Sequence, residues 1–204
     1  VMFPIYRFGS EEQRQKWLPE LASGSSIGCF GLSEPGFGSN PAGMETRAQK
    51  KMGRLILNGY KMWITNGTIA KVAIIWAKYN EEIRGFLVKT DTPGFRANPI
   101  QRKFSYRTSP TALIDLKDCA IEEDDILPNA RGLKSIFECL NFARYGVACG
   151  AVGSAVSCYQ AARAFALDRE VFDRPIAGYQ LVQDRLVLIM VEITKAQLIN
   201  YHLG

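Results

Sequence analysis

The sequence has few of the residues from which metal centres and disulfide frameworks are built. Among its 204 residues there is one histidine and there are five cysteines, and no two cysteines form a Cys-x-x-Cys pair. Metal sites need several such ligands at set spacings, and a disulfide framework normally needs an even number of cysteines, so we expect neither. His202 lies at the end of the chain, which also argues against a catalytic Cys–His pair. We therefore predict a reducing compartment.

Long apolar runs, internal repeats and blocks of charge are also absent. No apolar run approaches the roughly 20 residues that a membrane-spanning helix needs. The formal net charge is +5, but the basic residues are scattered, and Lys50-Lys51 and Arg102-Lys103 come nearest to clusters. This pattern favours a solvated surface over a nucleic-acid-binding one. No signal or transit peptide is visible, and because the chain begins with Val1 we expect a processed or truncated piece.

What is present predicts a short helix followed by a β domain. Ser10 precedes an acidic first turn, which is typical of the N-cap of a helix, and this helix is expected to end near 22–24. From 27 to about 126, short apolar runs alternate with Gly, Pro and Asn, a pattern that predicts an antiparallel barrel or sandwich. Leu57-Asn58-Gly59-Tyr60 is typical of a hairpin turn. The strand candidates are 27–33, 45–50, 54–58, 61–65, 72–79, 83–89, 95–100, 111–117 and 119–122.

The last third of the sequence is predicted to be helical. Pro128–Gly132 is interpreted as a linker, and the proline-free run from about 133 to 167 predicts a long helix. Arg174-Pro175 interrupts the pattern before a second helix from about 179 to 201. Two long helices cannot close a bundle of the usual kind, so we expect further chain or another subunit to complete it. The predicted fold class is α+β, with domains at 1–25, 26–128 and 129–204.

Two motifs carry the functional signal. Gly28–Asn40 is a short strand that runs into a Gly/Pro/Ser loop, whose N–H groups can bind phosphates and whose hydroxyls can reach a ring edge. Lys61–Gly67 is strand-like, with Trp63 and Thr65 two residues apart and so on one face. Taken singly, the loop can be an ordinary turn and Trp63 an ordinary buried residue.

In this order and at about this spacing, the two motifs resemble the flavin-binding strands of the acyl-CoA dehydrogenase family. The run Cys29–Pro35 is similar to the glutaryl-CoA dehydrogenase branch, which usually has threonine in place of Ser33. Asn40 likewise stands where aspartate is more usual. The implied fold has a short N-terminal helix, an antiparallel β-barrel or sandwich in the middle, and the start of a C-terminal helical bundle.

The resemblance implies contacts between the β domain and FAD. The hydroxyl of Ser33 would bind the pyrimidine edge of the flavin, and Ser39 would meet the pyrophosphate and the bound acyl-CoA. Trp63 would lie against the isoalloxazine, and the hydroxyl of Thr65 would lie at N5, the atom that receives the hydride. The FAD-binding residues implied in this domain are Phe30, Gly31, Leu32, Ser33, Gly38, Ser39, Trp63, Ile64 and Thr65.

Two stretches of the helical region match the family as well. Phe137–Arg144 is similar to the stretch that lines the acyl channel, although a core stripe with a surface arginine is an open alternative. Arg169–Gln180 is similar to a segment that reaches the FAD of a neighbouring subunit, although a helix end with surface charges would look the same. The substrate-binding candidates are Ser39, Phe137, Leu140, Asn141 and Arg144, and the further FAD-binding candidates are Arg169, Phe172 and Gln180.

Three further residues depart from the family pattern. Asp173 stands where glycine is usual, which is tolerable at positive φ but places a negative charge near a diphosphate. Tyr106 and Pro110 stand in a loop whose usual sequence after serine is Leu-Arg-Ala-Ser, and they suggest a reshaped loop near the acyl pocket.

The resemblance implies FAD-dependent α,β-dehydrogenation of an acyl-CoA. The expected substrate is glutaryl-CoA, decarboxylated to crotonyl-CoA, with electrons passing to an electron-transfer flavoprotein. The expected assembly is a homotetramer in the mitochondrial matrix, or in the cytoplasm of a bacterium, without membrane or nucleic-acid partners. An acyl-CoA oxidase, another short-chain acyl-CoA dehydrogenase, a nucleic-acid-binding flavoprotein and an inactive fragment stay open as alternatives.

No catalytic residue is expected in this chain. The family's catalytic glutamate lies beyond the equivalent of Gly204, and the arginine for the distal carboxylate lies before the equivalent of Val1. Glu34 is a carboxylate in the flavin loop, and its motif indicates cofactor binding rather than proton abstraction.

Overall fold

The computed structural model describes residues 1–204, which divide into two units, Val1–Cys139 and Leu140–Gly204. The first unit begins with helices α1 (Met2–Phe8) and α2 (Glu11–Ser23). Ser10 caps α2 through a reciprocal pair of hydrogen bonds with Gln13, which confirms the predicted N-cap. Gly24 ends the helix in the left-handed conformation, at φ 75°.

An eight-stranded sheet forms most of the first unit. The strands are β1 (Gly28–Gly31), β2 (Arg47–Lys51), β3 (Arg54–Thr65), β4 (Val72–Tyr79), β5 (Glu82–Lys89), β6 (Phe95–Pro99), β7 (Thr111–Ile121) and β8 (Ile126–Arg131). Their order in the sheet is β6-β7-β3-β2-β4-β5-β8, with β1 alongside β4.

The sheet is mixed, which corrects the antiparallel prediction. β1 runs parallel to β4 over Gly28–Gly31, and β2 meets β4 in parallel at Arg47 and Lys78. Because β5 pairs with the whole length of β4, β1 and β2 share its opposite edge. Short alternating runs predict strands but do not reveal which partners a crossover brings together.

The hairpin turn predicted at Asn58-Gly59 is wrong, because β3 continues through it as one strand. Gly59 lies at φ 143° beside a register shift against β7, and a Cβ there would be 2.6 Å from the Cα of Thr46. Glycine is required by this close approach. The turn that joins β2 to β3 contains Met52 and Gly53 instead, both with positive φ.

Two other sequence-based boundaries also differ from the structure. The candidates 111–117 and 119–122 form the single strand β7, and Asp118 lies within it at φ 48°. The linker predicted at 128–132 is largely strand β8, which pairs antiparallel with β5. Proline and glycine suggested a break, but Pro128 lies in a strand at the end of the sheet order, where a missing N–H is tolerated.

The core of the first unit is formed mainly by side chains of the sheet. Its members are buried apolar side chains that come almost entirely from β1 to β7, among them Leu57, Ile75, Phe86 and Ile114. Alternating burial along β3 and β7 places one set of side chains in this core.

Long helices dominate the second unit. Helix α3 runs from Gly132 to Asp168, so it begins in the first unit and continues into the second. A short hairpin of β9 (Glu170–Val171) and β10 (Arg174–Pro175) follows, and then α4 (Gln180–Leu203). The two long helices confirm the sequence-based prediction. None of the helices combines the length and the apolar character that a membrane-spanning segment requires.

Candidate functional site

The two motifs that carried the functional signal meet in the structure. The N–H of Met62, in β3, donates a 2.8 Å hydrogen bond to the carbonyl of Ser33, just after β1. The Nζ of Lys61 donates a 3.1 Å hydrogen bond to the carbonyl of Leu32. The loop that follows β1 is therefore fastened to the part of β3 that carries Trp63 and Thr65.

A buried ion pair joins the same two segments. The ammonium of Lys61 lies 2.8 Å from Oε1 of Glu34, and both side chains are almost completely buried. The carboxylate of Glu34 also accepts hydrogen bonds from the backbone N–H groups of Glu45 and Thr46, at 2.6 and 3.1 Å. Glu34 therefore holds the loop closed and has no exposed oxygen face with which to act as a base.

The electrostatics of this pair follow from burial and charge. Burial acts to raise the pKa of Glu34, but the Lys61 charge and the Lys61, Thr46 and Glu45 hydrogen bonds together hold it below its ordinary value. Burial lowers the pKa of Lys61 to about 8, against the opposing effect of Glu34.

Trp63 is exposed, which overturns the alternative of an ordinary buried tryptophan. Its side chain is 58% exposed, and its φ of 63° lies at a register shift in β3. The bulge places two residues, Met62 and Trp63, between the inward-facing Lys61 and Ile64. Trp63 and Thr65 are therefore presented together on the face that is not covered by the core.

Several polar groups of the two motifs have no partner within the chain. The hydroxyls of Ser33, Ser39 and Thr65 make no hydrogen bond, and neither does the N–H of Ser33. Donors that remain free beside an exposed indole fit a ligand with a flat ring and acceptors at its edge. A flavin is a ligand of this kind, and these residues fit its ring and the acceptors at its edge.

The other predicted residues of these motifs contribute in different ways. Leu32 and Ile64 are buried and Gly31 has no side chain, so these three can reach a ligand only through the backbone. Phe30 is half-buried against Trp76, with ring centroids 6.0 Å apart. Gly38, like Ser39, is exposed in the loop.

A cleft of about 510 Å³ extends from Trp63 and Thr65 to the loop 100–106, with Ser109 and Thr111. The ammonium of Lys103 organises this loop by donating to the carbonyls of Tyr106 and Ser109 and to the hydroxyl of Thr111. Tyr106 has a left-handed backbone, and its side chain is exposed. The loop that departs from the family pattern therefore forms one wall of the cleft beside Trp63.

The substrate-binding candidates of α3 are surface residues of this chain. Phe137 and Phe142 are 42% and 64% exposed, so they do not form the core stripe that was the alternative. Arg144 donates a 3.1 Å hydrogen bond to Oδ1 of Asn141. These two residues line a groove of about 700 Å³ in the second unit, while Leu140 is half-buried.

Arg169, Phe172 and Gln180 surround the β9–β10 hairpin of the second unit. Phe172 is 88% exposed at the tip of the hairpin, where it and Asp173 have φ values of 53° and 58°. Position 173 therefore does adopt the left-handed conformation for which glycine is the easiest residue. Arg169 and Gln180 are exposed as well.

Sequence reasoning missed the role of Lys61. The available signal was a lysine at an inward-facing position of an apolar strand, together with a glutamate in the loop of the other motif. Their pairing depends on the contact between β1 and β3, which are separated in sequence by β2. No group of three or more His, Cys, Asp or Glu residues is arranged to hold a metal ion.

Comparison with known proteins identifies three consecutive domains of one family. The N-terminal domain of acyl-CoA dehydrogenase matches residues 1–25, the middle domain matches 29–119, and the C-terminal domain matches 130–204. The human mitochondrial short-chain specific acyl-CoA dehydrogenase is 36% identical over 97% of this chain and 50% of its own length. The chain thus spans about half the length of the curated relatives that it matches.

Solved structures agree with the sequence comparison. A glutaryl-CoA dehydrogenase from Mycobacterium smegmatis, in complex with FADH2, has a TM-score of 0.97 at 53% identity and covers 100% of this chain and 53% of its own. Butyryl-CoA dehydrogenase from Megasphaera elsdenii has a TM-score of 0.93 at 31% identity, covering 99% and 55%. The chain therefore belongs to the acyl-CoA dehydrogenase family.

Proposed function

We propose that this chain carries the flavin face of an FAD-dependent acyl-CoA dehydrogenase. The observation that carries the proposal is exposed Trp63 on a β-bulge, with exposed Thr65 two residues later, next to the unpaired N–H and hydroxyl of Ser33. FAD, when bound, supplies the hydride acceptor for α,β-dehydrogenation of an acyl-CoA. The related M. smegmatis structure contains FADH2, which supports this choice of cofactor.

The residues of this chain would bind and orient the flavin. Ser33 would donate from its N–H and hydroxyl to the pyrimidine edge, and Thr65 would donate to N5, where electron density increases on reduction. Trp63 would cover the ring and exclude water from it. Gly38 and Ser39 would contact the pyrophosphate, and Ser39 would also contact the acyl-CoA.

The proposed substrate is glutaryl-CoA, with oxidative decarboxylation to crotonyl-CoA. It is supported by 53% identity to the glutaryl-CoA dehydrogenase of M. smegmatis, against 31% to a butyryl-CoA dehydrogenase of the same fold. Asn141 and Arg144, which are joined by a hydrogen bond in their groove, are the proposed polar contacts of the acyl channel, together with Phe137 and Leu140. No residue of this chain is proposed as the catalytic base.

A short-chain acyl-CoA without a distal carboxylate is the second candidate substrate. The 36% identity to human short-chain specific acyl-CoA dehydrogenase favours it. Turnover of glutaryl-CoA and butyryl-CoA by the natural protein that carries this chain separates the two. Faster turnover of glutaryl-CoA with release of CO₂ supports the first proposal, and faster turnover of butyryl-CoA without CO₂ supports the second.

The cofactor proposal is tested with Thr65→Val in the same natural protein. Loss of one placed donor at N5 is expected to slow flavin reduction by about tenfold to a hundredfold, as measured by stopped-flow absorbance. Thr68→Val serves as a control outside the proposed contacts. An unchanged reduction rate would remove Thr65 from this role, and protein that cannot be reconstituted with FAD would refute the proposed function.

The proposed partners are an electron-transfer flavoprotein and further copies of the same protein, in a mitochondrial matrix or a bacterial cytoplasm. Exposed Arg169, Phe172 and Gln180 support a homotetramer in which this hairpin meets the FAD of a neighbouring subunit. Arg169→Ala is then expected to weaken FAD retention and to loosen the dimer together. A stable monomer that retains FAD, as measured by light scattering, would contradict this assembly.

A further inference from the structure

Glu34 and Lys61 are the only charged side chains buried in the whole chain. Removing two charges from water costs free energy, and apolar residues of similar volume often give equal or greater stability in such places. The pair therefore calls for an explanation beyond stability. The position of the pair suggests such an explanation. Both residues lie in the two motifs that form the candidate flavin face, which we define by Ser33, Trp63 and Thr65.

The path of the Lys61 side chain is defined by its neighbours. A Cβ on Gly31 would lie 3.3 Å from Cγ of Lys61 and 2.7 Å from Cδ1 of Ile75. The absence of a side chain at Gly31 thus leaves room for the lysine stem. The ammonium at the end of this stem stays buried, and it donates hydrogen bonds to the Leu32 carbonyl at 3.1 Å and to Glu34 at 2.8 Å.

The bond to Leu32 fixes the direction of the next N–H. A trans peptide is planar, and its C=O and N–H point in opposite directions. Because the Leu32 carbonyl is turned inwards to Lys61, the N–H of Ser33 is turned away from the buried ammonium, and it has no partner in the chain. The carbonyl of Ser33 is held from its other side by the N–H of Met62 at 2.8 Å.

Glu34 holds the ammonium in place and closes the loop. Its carboxylate bridges Lys61 to the backbone N–H groups of Glu45 and Thr46, immediately before β2. The loop between these points carries Gly38 and Ser39. The buried ion pair thus connects the start of the loop, the end of the loop and the strand that carries Trp63.

We propose that Lys61 is a positioning residue for the flavin: held by Glu34, its ammonium fixes the Leu32 carbonyl and so aims the N–H of Ser33 at the ring edge. This inference rests on the proposed function, because it assigns the free donors of Ser33 to FAD. Because its side chain is completely buried, Lys61 would itself touch neither cofactor nor substrate.

The test is Lys61→Met in the natural protein that carries this chain, with the FAD dissociation constant measured on deflavinated protein. Methionine keeps the stem but leaves the Leu32 carbonyl without its donor. Loss of a charge-assisted hydrogen bond that orients the binding group is expected to weaken FAD binding by about tenfold to a hundredfold. The visible absorption bands of the bound flavin are expected to shift, because the donors at the ring edge move.

Two control variants separate positioning from general loss of stability. Leu57→Ala removes a fully buried side chain of the same strand, away from the candidate flavin face, and is expected to lower stability without changing the FAD dissociation constant or the flavin spectrum. Lys50→Met removes a lysine from the exposed pair with Glu123 and is expected to change neither binding nor stability appreciably.

The double variant Glu34→Gln/Lys61→Met covers the case in which Lys61→Met does not fold. It leaves no unpaired buried charge, so it is expected to regain thermal stability but not FAD affinity. Normal FAD affinity and an unchanged flavin spectrum in either variant would overturn the inference while leaving the proposed function intact. Failure of the unsubstituted protein to bind FAD would refute the proposed function instead.

Discussion

The two units of this chain handle their apolar residues in opposite ways. In the first unit, β2, β3, β4, β5 and β7 bury one set of side chains against one another, and residues such as Leu57 and Ile114 are completely covered. In the second unit Ala166 is the single buried apolar residue, and α4 has none. A sheet of this size can form a core within one chain, whereas two helices leave most of their apolar surface open.

This difference shows where stability and function are supplied within the chain. The candidate flavin face lies on the unit that has the buried core, where exposed Trp63 and Thr65 are supported by a packed sheet. The apolar residues exposed on α4, such as Leu198, are typical of a surface that is covered in an assembly. Helices of this kind owe most of their stability to packing rather than to propensity.

The largest expected contrast is between a buried and an exposed ion pair. Glu34→Gln leaves Lys61 buried without its counter-charge and is expected to lower the free energy of unfolding by about 3–5 kcal/mol at neutral pH. Glu192→Gln breaks the exposed 2.6 Å pair with Lys195 in α4. This substitution should change the free energy of unfolding by less than about 0.5 kcal/mol. Urea unfolding measures both, and equal effects would contradict the comparison.

The effect of Glu34 is also expected to depend on pH in a definite direction. The pKa of Glu34 is lowered in the folded state, so its contribution is fully present above its unfolded pKa and is lost as pH falls through the folded value. The stability difference between the unsubstituted chain and Glu34→Gln should therefore shrink below about pH 4. A difference that grows in acid would contradict the assignment of this ion pair.

Replacing a buried leucine and an exposed leucine by alanine should lower the free energy of unfolding by different amounts in the two units. Leu57→Ala creates a cavity in the first unit and is expected to lower the free energy of unfolding by about 2–5 kcal/mol. Leu198 is 63% exposed, so Leu198→Ala should lower the free energy of unfolding by less than about 1 kcal/mol. All three tryptophans lie in the first unit, so their fluorescence reports its unfolding, and far-ultraviolet circular dichroism reports the helices.

Substitution of glycine by alanine should have opposite signs in the two units. At Gly59 the φ of 143° and the approach to Thr46 are expected to make alanine destabilising by about 1–3 kcal/mol. At Gly150, in α3, a Cβ would meet nothing within 4 Å, so alanine should stabilise the helix by up to about 1 kcal/mol. Thermal unfolding of the two variants measures this difference, and the same sign at both positions would refute it.

The smallest expected effect is at the β9–β10 hairpin. Asp173 has a left-handed backbone at φ 58°, so Asp173→Gly relieves an unfavourable conformation at the cost of a more flexible unfolded chain. The net stabilisation should be less than about 1 kcal/mol, as measured by thermal unfolding followed by circular dichroism. A clear loss of stability would show that the Asp173 side chain contributes a contact of its own.

Much of the fold and part of the candidate site could be predicted from local sequence. The Ser10 cap, the two long helices and the approximate strand positions follow from short-range patterns, and the structure has all of them. The two motifs with Ser33 and Trp63 were recognised from their own residues and their order. The roles of the individual site residues stay predictions until binding and kinetics test them.

Local sequence specifies the elements and the motifs, because caps, apolar periodicity and turn residues act over a few positions. Three features become visible only when the chain is folded: β1 pairs in parallel with β4, Gly59 lies inside a continuous strand, and Lys61 meets Glu34. Each of these depends on segments far apart in the chain that approach within a few ångströms. The free-energy cost of placing a glycine, a bulge or a buried charge depends on contact distances and on burial. Both of these are established only when the sheet has assembled.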